Sequence, residues 1–228
     1  METVLPLVCA CLLSGTVGGD AEKVRIVTLG DSITRGVRAG VKADETFAAL
    51  LQKDLRERKV QAEVVNVGIG GERTDQALKR LVKDVIALKP AIVVIMYGTN
   101  DSYVDKGQTE PRLTAQQYGK NLEALLLELR EVNIQPVLMT PPRWGDKAAA
   151  NGAGENPNVQ LEKYVAICRE VAKKTKTPLA DHYAHWAKHV KKGGDLTDWT
   201  TDQCHPNPRG HREIADVLLP VVLPLVKK

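Results

Sequence analysis

A chain of 228 residues, 43% of them hydrophobic, is long enough to bury one sizeable core and short enough to favour a single domain. The formal net charge of +4, from 32 basic and 28 acidic side chains, is too mild to indicate a nucleic-acid partner, and aromatics at 4% leave no stacking platform for bases. The lysine pairs at 173–174, 191–192 and 227–228 read as solvated helix faces.

The N-terminal residues differ from the rest. Val4 to Leu13 (VLPLVCACLL) carries no charge, and Val17 and Gly19 could serve as the small residues before a cleavage. A signal peptide is therefore expected over residues 1–19, leaving one secreted or periplasmic domain over 20–228. The n-region is atypical, with Glu2 and neither Lys nor Arg, and Val8-Cys9-Ala10-Cys11 loosely suggests a lipoprotein cleavage box. The apolar run falls short of the roughly 20 residues that span a bilayer, so no stable membrane span is expected.

From residue 24 onward, β-branched runs alternate with helix-period segments. Val24 to Leu29 reads as a first strand, 46–58 as a helix with Phe47, Leu50, Leu51 and Leu55 on one face, and Glu63 to Val67 as a second strand. Leu78, Leu81, Val82, Val85 and Ile86 predict a helix over 74–88, ended by Pro90. Ala91 to Tyr97 is continuously apolar, as a central parallel strand covered on both faces should be. A helix capped by Thr114 runs to about Val132, a fourth strand covers Pro136 to Thr140, a helix follows over 159–174, and a short fifth strand over Leu179 to Asp181. A last helix spans 209–226, with a bend expected near Pro220. This alternation predicts an α/β fold on an open, doubly wound parallel sheet. Right-handed crossovers then bring every strand's C-terminal end to one edge, where reactive groups gather.

Four groups fall at that edge. Ser32 follows the first strand, Asn66-Val67-Gly68-Ile69-Gly70-Gly71 the second, and Gly98-Thr99-Asn100-Asp101 the third, while Asp202 and His205 stand three residues apart before the last helix. A serine hydroxyl becomes nucleophilic when a base takes its proton, and a histidine does so near neutrality. Asp202 can fix that histidine's tautomer, and glycine N–H groups and an asparagine amide can meet the oxyanion, each donor being worth about 3–4 kcal/mol in comparable sites.

These blocks, GDSIT at 30–34, NVGIGGERT at 66–74, GTND at 98–101 and DQCHPN at 202–207, resemble in content and order those of the SGNH hydrolases, the GDSL esterase and lipase family. The resemblance implies a three-layer α/β/α sandwich around a five-stranded parallel, flavodoxin-like sheet. It implies Ser32 as nucleophile, His205 as general base and acid, and Asp202 as its orienter. It also implies an oxyanion hole made by the N–H of Ser32, the N–H of Gly71 and the side-chain amide of Asn100. Gly71 takes precedence over Gly70 because the family's glycine falls five residues after the asparagine matched by Asn66. No metal and no cofactor are implied.

The expected function is a serine esterase acting as a monomer on a small-molecule or carbohydrate ester, with acetyl on a carbohydrate as the favoured substrate. A lysophospholipase or thioesterase of the same fold is the enzymatic rival. The non-enzymatic rivals are a carbohydrate-binding module that lost turnover and a flavodoxin-like binder of phosphorylated ligands, for which GDSITRG is a poor phosphate loop. The Gly- and Pro-rich segment 141–157 begins at the active edge and is a candidate substrate loop, with Arg143 and Trp144 as contacts. Asp31 and Asp101 read as loop-bonding residues, Trp186 and Trp199 as packing residues, and His211 as surface-facing. His185 and His189 share a helix face, but with His182 they lack an acidic or cysteine ligand pattern for metal. Cys168 and Cys204 read as buried free thiols in preference to a disulfide.

Overall fold

The computed structural model describes residues 23–227. The expected signal segment 1–19 lies outside these described residues. Five parallel strands, β1 (Val24–Gly30), β2 (Ala62–Asn66), β3 (Ile92–Met96), β4 (Gln135–Thr140) and β5 (Leu179–Asp181), form one sheet in the order β2-β1-β3-β4-β5. Every residue of β3 is buried, as a centre strand covered on both faces requires. Each such aliphatic side chain contributes about 1.5–3 kcal/mol by leaving water.

The strand period of two sorts these side chains into two layers. Ile26, Val94, Met96 and Val137 face α2 (Phe47–Glu57), α6 (His182–Lys191) and α7 (Pro208–Val226). Val27, Val93, Ile95 and Leu138 face α3 (Thr74–Arg80), α4 (Ala115–Glu131) and α5 (Asn158–Lys174). The result is the expected three-layer α/β/α sandwich. Among the described residues no helix is long and apolar enough to cross a membrane.

Helix starts follow their capping residues. Thr46 accepts from Ala49 N ahead of α2, Thr114 from Gln117 N ahead of α4, and Asn207 from Gly210 N ahead of α7, whose first residue is Pro208. α7 continues through Pro220 and Pro224.

Two local expectations are corrected, and one helix gains its bounds. The helix expected over 74–88 is regular only to Arg80. A widened turn then covers Leu81–Val85, with Ile86 N–H donating to Leu81 O, and a tighter turn covers Ile86–Leu88. This extra residue per turn keeps Leu81 and Val85 in the core but turns Val82 outward, 64% exposed. α6 is a full helix directly after β5, with Asp181 both ending the strand and capping the helix through Ala184 N. His211, expected at the surface, is wholly buried: it stacks on Phe47, and its Nδ1 accepts from Phe47 N at 3.2 Å. Burial holds its pKa down to about 4, so the ring is neutral and able to accept.

Trp186 and Trp199 pack against each other in the core beside His189, which stacks on Trp199. His185 Nε2 pairs with Glu213 at 2.7 Å, and His182 is buried and neutral, so the three histidines of α6 serve packing and pairing. Cys168 and Cys204 are both buried free thiols.

Candidate active site

β1 ends at Gly30, in register with Met96 at the end of β3. The loops after β2 and β3 therefore flank the turn into α1 (Ser32–Arg35) from both sides. Asp31 caps this short helix, its Oδ1 accepting from Ile33 N at 2.9 Å. Ser32 is the first helical residue, so its own N–H has no intrahelical acceptor and stays available at the sheet edge.

Ser32 Oγ lies 2.9 Å from His205 Nε2, and His205 Nδ1 lies 2.8 Å from Asp202 Oδ2. The second oxygen of Asp202 accepts from the backbone N–H groups of His205 (2.8 Å) and Cys204 (3.2 Å). Burial works against the charge of Asp202, but the His205 N–H, the His205 ring and the Cys204 N–H outweigh it and hold the pKa at about 2. An ionised carboxylate can only accept. The proton therefore sits on His205 Nδ1, and the Nε2 lone pair faces the Ser32 hydroxyl. Burial, the largest influence on His205, lowers its pKa, Asp202 raises it, and Arg38 and Arg35 lower it further.

The loop carrying this pair is built as a unit. A bridge between Thr200 and Pro206 closes it, Thr201 N donates to His205 O, and Asn207 N donates to Trp199 O. Gln203 takes the left-handed conformation (φ 67°), which lets the chain turn between acid and base.

Two more donors converge from the neighbouring loops. Gly68 brings the loop after β2 against α1: a Cβ there would fall 2.2 Å from Arg35 N. Gly71 follows at φ 77°, a conformation that excludes most side chains, and its N–H enters none of the loop's backbone hydrogen bonds. Asn100 is oriented from both ends of its amide. Nδ2 donates to Asp31 Oδ2 at 3.2 Å, and Oδ1 accepts from Arg112 Nη1 at 3.0 Å. One Nδ2 hydrogen remains for a ligand. Asp101, fully buried, accepts from Gly98 N, Thr74 N and Thr74 Oγ1, tying this loop to the start of α3. Asp31 and Asp101 are thus the loop-bonding residues expected of them. Burial, against the Ile33 N–H and Asn100 bonds, pushes Asp31 up to about 7.

Ser32, Asn100 and His205 open onto a cleft of about 160 Å³ walled by Tyr103, Trp144 and Arg112. Tyr103 and Trp144 stack at 5.9 Å. Wider hollows, of about 450 and 550 Å³, lie along the α2–β2 edge and at the start of β1, and the catalytic candidates line neither. The segment 141–157 is braced to its surroundings. Gly145 N donates to Gln203 O, Asn158 bonds the backbone of Trp144 in both directions, and Gly152 N donates to Val104 O. Of its two expected contacts, Trp144 lines the cleft. Arg143 is held within its own loop by Asp146 and the Trp144 carbonyl and does not line the cleft. Tyr103, Arg112 and Arg38 were not legible as site residues, because they lie in turn-rich stretches without periodicity.

Known proteins share this chain's sequence pattern and its fold. An acetylxylan esterase of Geobacillus stearothermophilus is 29% identical, over 88% of this chain and 94% of its own. A lipoprotein of Bacillus subtilis, YqeF, whose function is uncharacterized, is 30% identical over 82% and 84%. The crystal structure of the acetyl xylan esterase AlAXEase superposes with a TM-score of 0.73 at 28% identity, covering 87% of this chain and all of the other. A lipase/acylhydrolase from Enterococcus faecalis superposes equally well at 27% identity, over 87% and 95%. The fold and its relatives define a carboxylic ester hydrolase. With residues 28–213 matching the family model, the chain belongs to the GDSL-like lipase/acylhydrolase family.

Proposed function

We propose that this protein is a serine esterase that removes short acyl groups, acetyl above all, from a carbohydrate through an acyl-enzyme. The observation that carries the reading is the unbroken line Asp202 Oδ2, His205 Nδ1 and Nε2, Ser32 Oγ, whose serine end opens onto the same cleft as Asn100. Ser32 Oγ attacks the ester carbonyl while His205 Nε2 takes its proton. The oxyanion is met by the N–H groups of Ser32 and Gly71 and by Asn100. His205 then protonates the leaving alkoxide, and a water deprotonated by His205 releases the acid. The volume of about 160 Å³ lies below the roughly 300–1,000 Å³ of ordinary ligand pockets, which favours a short acyl group over a lysophospholipid chain.

The test is acetate release from acetylated xylo-oligosaccharides and hydrolysis of p-nitrophenyl acetate, with Ser32→Ala as control. Ser32→Ala is expected to lower kcat by at least about 10⁴-fold. Equal rates in the two proteins overturn the nucleophile, and preference for octanoate over acetate overturns the substrate. The domain over 20–228 is proposed to work as an exported monomer. Mass spectrometry of secreted protein is expected to find an N-terminus near residue 20, and an intact Met1 would exclude cleavage.

A further inference from the structure

The loop from Gly98 to Leu113 folds back on itself. Leu113 N donates to Asp101 O and Arg112 N to Tyr103 O, bringing Arg112 beside Asn100, twelve residues away in the chain. Each of the three guanidinium nitrogens of Arg112 has a partner. Nε and Nη2 grip the two oxygens of Asp105 at 2.9 and 2.7 Å, Nη1 donates to Asn100 Oδ1 at 3.0 Å, and the carbon stands 5.1 Å from the Tyr103 ring centre. Gly152, packed on Asp105 O, braces the loop from outside.

We infer that Arg112 is a positioning residue of the oxyanion hole, acting on the reaction through the side-chain amide of Asn100. Two effects follow from one bond. An amide whose oxygen faces a guanidinium cannot flip, so its N–H stays aimed into the cleft. A cation on the amide oxygen also draws electron density from the nitrogen, making that N–H a stronger donor to a developing negative charge. Lysine cannot replace the fork, since a single ammonium cannot hold both Asp105 oxygens and Asn100 in one plane. The bidentate grip by Asp105 makes the arrangement ready before substrate arrives, so no reorganisation accompanies the transition state. This inference rests on Asn100 being an oxyanion donor.

The experiment is a double-mutant cycle on p-nitrophenyl acetate with Arg112→Met, Asn100→Ala and the pair, with folding checked by circular dichroism. Asn100→Ala is expected to lower kcat by about 10²–10³-fold. Arg112→Met should lower kcat by about 10-fold or more while KM stays within about twofold, and Arg112→Lys should not restore it. In the Asn100→Ala background, Arg112→Met should change kcat by less than about twofold. Losses that multiply in the double variant, or a large rise in KM, would show Arg112 acting on substrate directly and overturn the inference. Full activity in Arg112→Met with low activity in Asn100→Ala overturns it while leaving the proposed esterase site intact. Full activity in Asn100→Ala overturns both the oxyanion role of Asn100 and this inference. If Arg112→Met does not fold, Asp105→Asn, at the surface, loosens the same fork and must lower kcat only when Asn100 is present.

Discussion

Arg38 and His205 share one carboxylate oxygen: Arg38 Nη2 lies 2.9 Å from Asp202 Oδ2, the same atom that His205 Nδ1 approaches at 2.8 Å. The guanidinium helps fix Asp202, and its charge disfavours protonation of His205. Burial and the two nearby arginines lower the histidine's pKa, so the acid limb of kcat/KM falls below the ordinary imidazole value and activity persists into mildly acidic buffer. Removing one positive charge lets the imidazolium form more readily. Arg38→Met should therefore move the acid limb to higher pH, as read from pH–rate profiles of the two proteins. An unmoved limb would mean that Arg38 only braces the loop.

Asp31 supplies a second pH dependence, in stability. Its carboxyl goes from 3.8 to about 7 on folding because the charged form is buried. Between those values the folded state binds more protons than the unfolded one. This group therefore favours folding fully below 3.8, and that advantage is lost as pH rises toward 7. Asp31→Asn removes the titration, so its Tm relative to the parent should rise across that interval. The same substitution points an NH₂ or a reoriented oxygen at Asn100 Nδ2 and Ile33 N, and should lower kcat by about 10-fold. Parallel Tm curves for the two proteins would contradict the buried-carboxylate account.

Acyl selectivity should reside in the stacked pair Tyr103 and Trp144, which lines the same cleft as Ser32. A pocket discriminates one methylene by about 1–3 kcal/mol at most. Trp144→Ala should raise the butyrate-to-acetate ratio of kcat/KM by about 10-fold, with acetate itself hydrolysed more slowly. A panel of p-nitrophenyl esters measures this directly. Arg143→Ala, outside the cleft, should leave the ratio unchanged.

Glu72, immediately after Gly71, is anchored in the protein. Arg80 grips both its oxygens and Tyr97 Oη donates to it at 2.6 Å. Glu72 is 5% exposed, so removing it leaves Arg80 with little water to replace the partner. Breaking a buried pair outright costs about 3–5 kcal/mol, and the loss here is smaller because Arg80 keeps Asp84 at 3.7 Å and the Val67 carbonyl at 2.8 Å. Glu72→Ala should lower Tm markedly in thermal melts and, in the folded fraction, slow turnover by loosening the Gly70–Gly71 turn. A Tm within about 2 °C of the parent would rule this out.

The fold was legible because the first three strands are β-branched runs with a turn at the C-terminal end, and a parallel sheet gathers those ends. Ser32, Asn100, Asp202 and His205 each sit directly after or close to an element that the residue pattern defines. Arg112 and Tyr103 were hidden because a turn-rich stretch has no period to reveal which residues fold back. α6 was foreseen only as a helix face shared by His185 and His189, without bounds, because Asp181 serves both strand and helix and leaves no linker between them. His211 misled for a different reason. A polar residue flanked by Gly210 and Arg212 at a helix start suggests solvent, but α7 packs against α2 there, and the Phe47 N–H needs an acceptor.

The stretch from Gly98 to Leu113, pinned at its base by two backbone hydrogen bonds, holds Asn100, the Arg112 guanidinium bonded to its amide oxygen, and Tyr103, an aromatic wall of the cleft. Turnover and acyl preference should therefore change together when this stretch is exchanged. A recombinant enzyme given a relative's version of this stretch, together with that relative's residue at Trp144, should take on its acyl preference while keeping its own serine, histidine and aspartate.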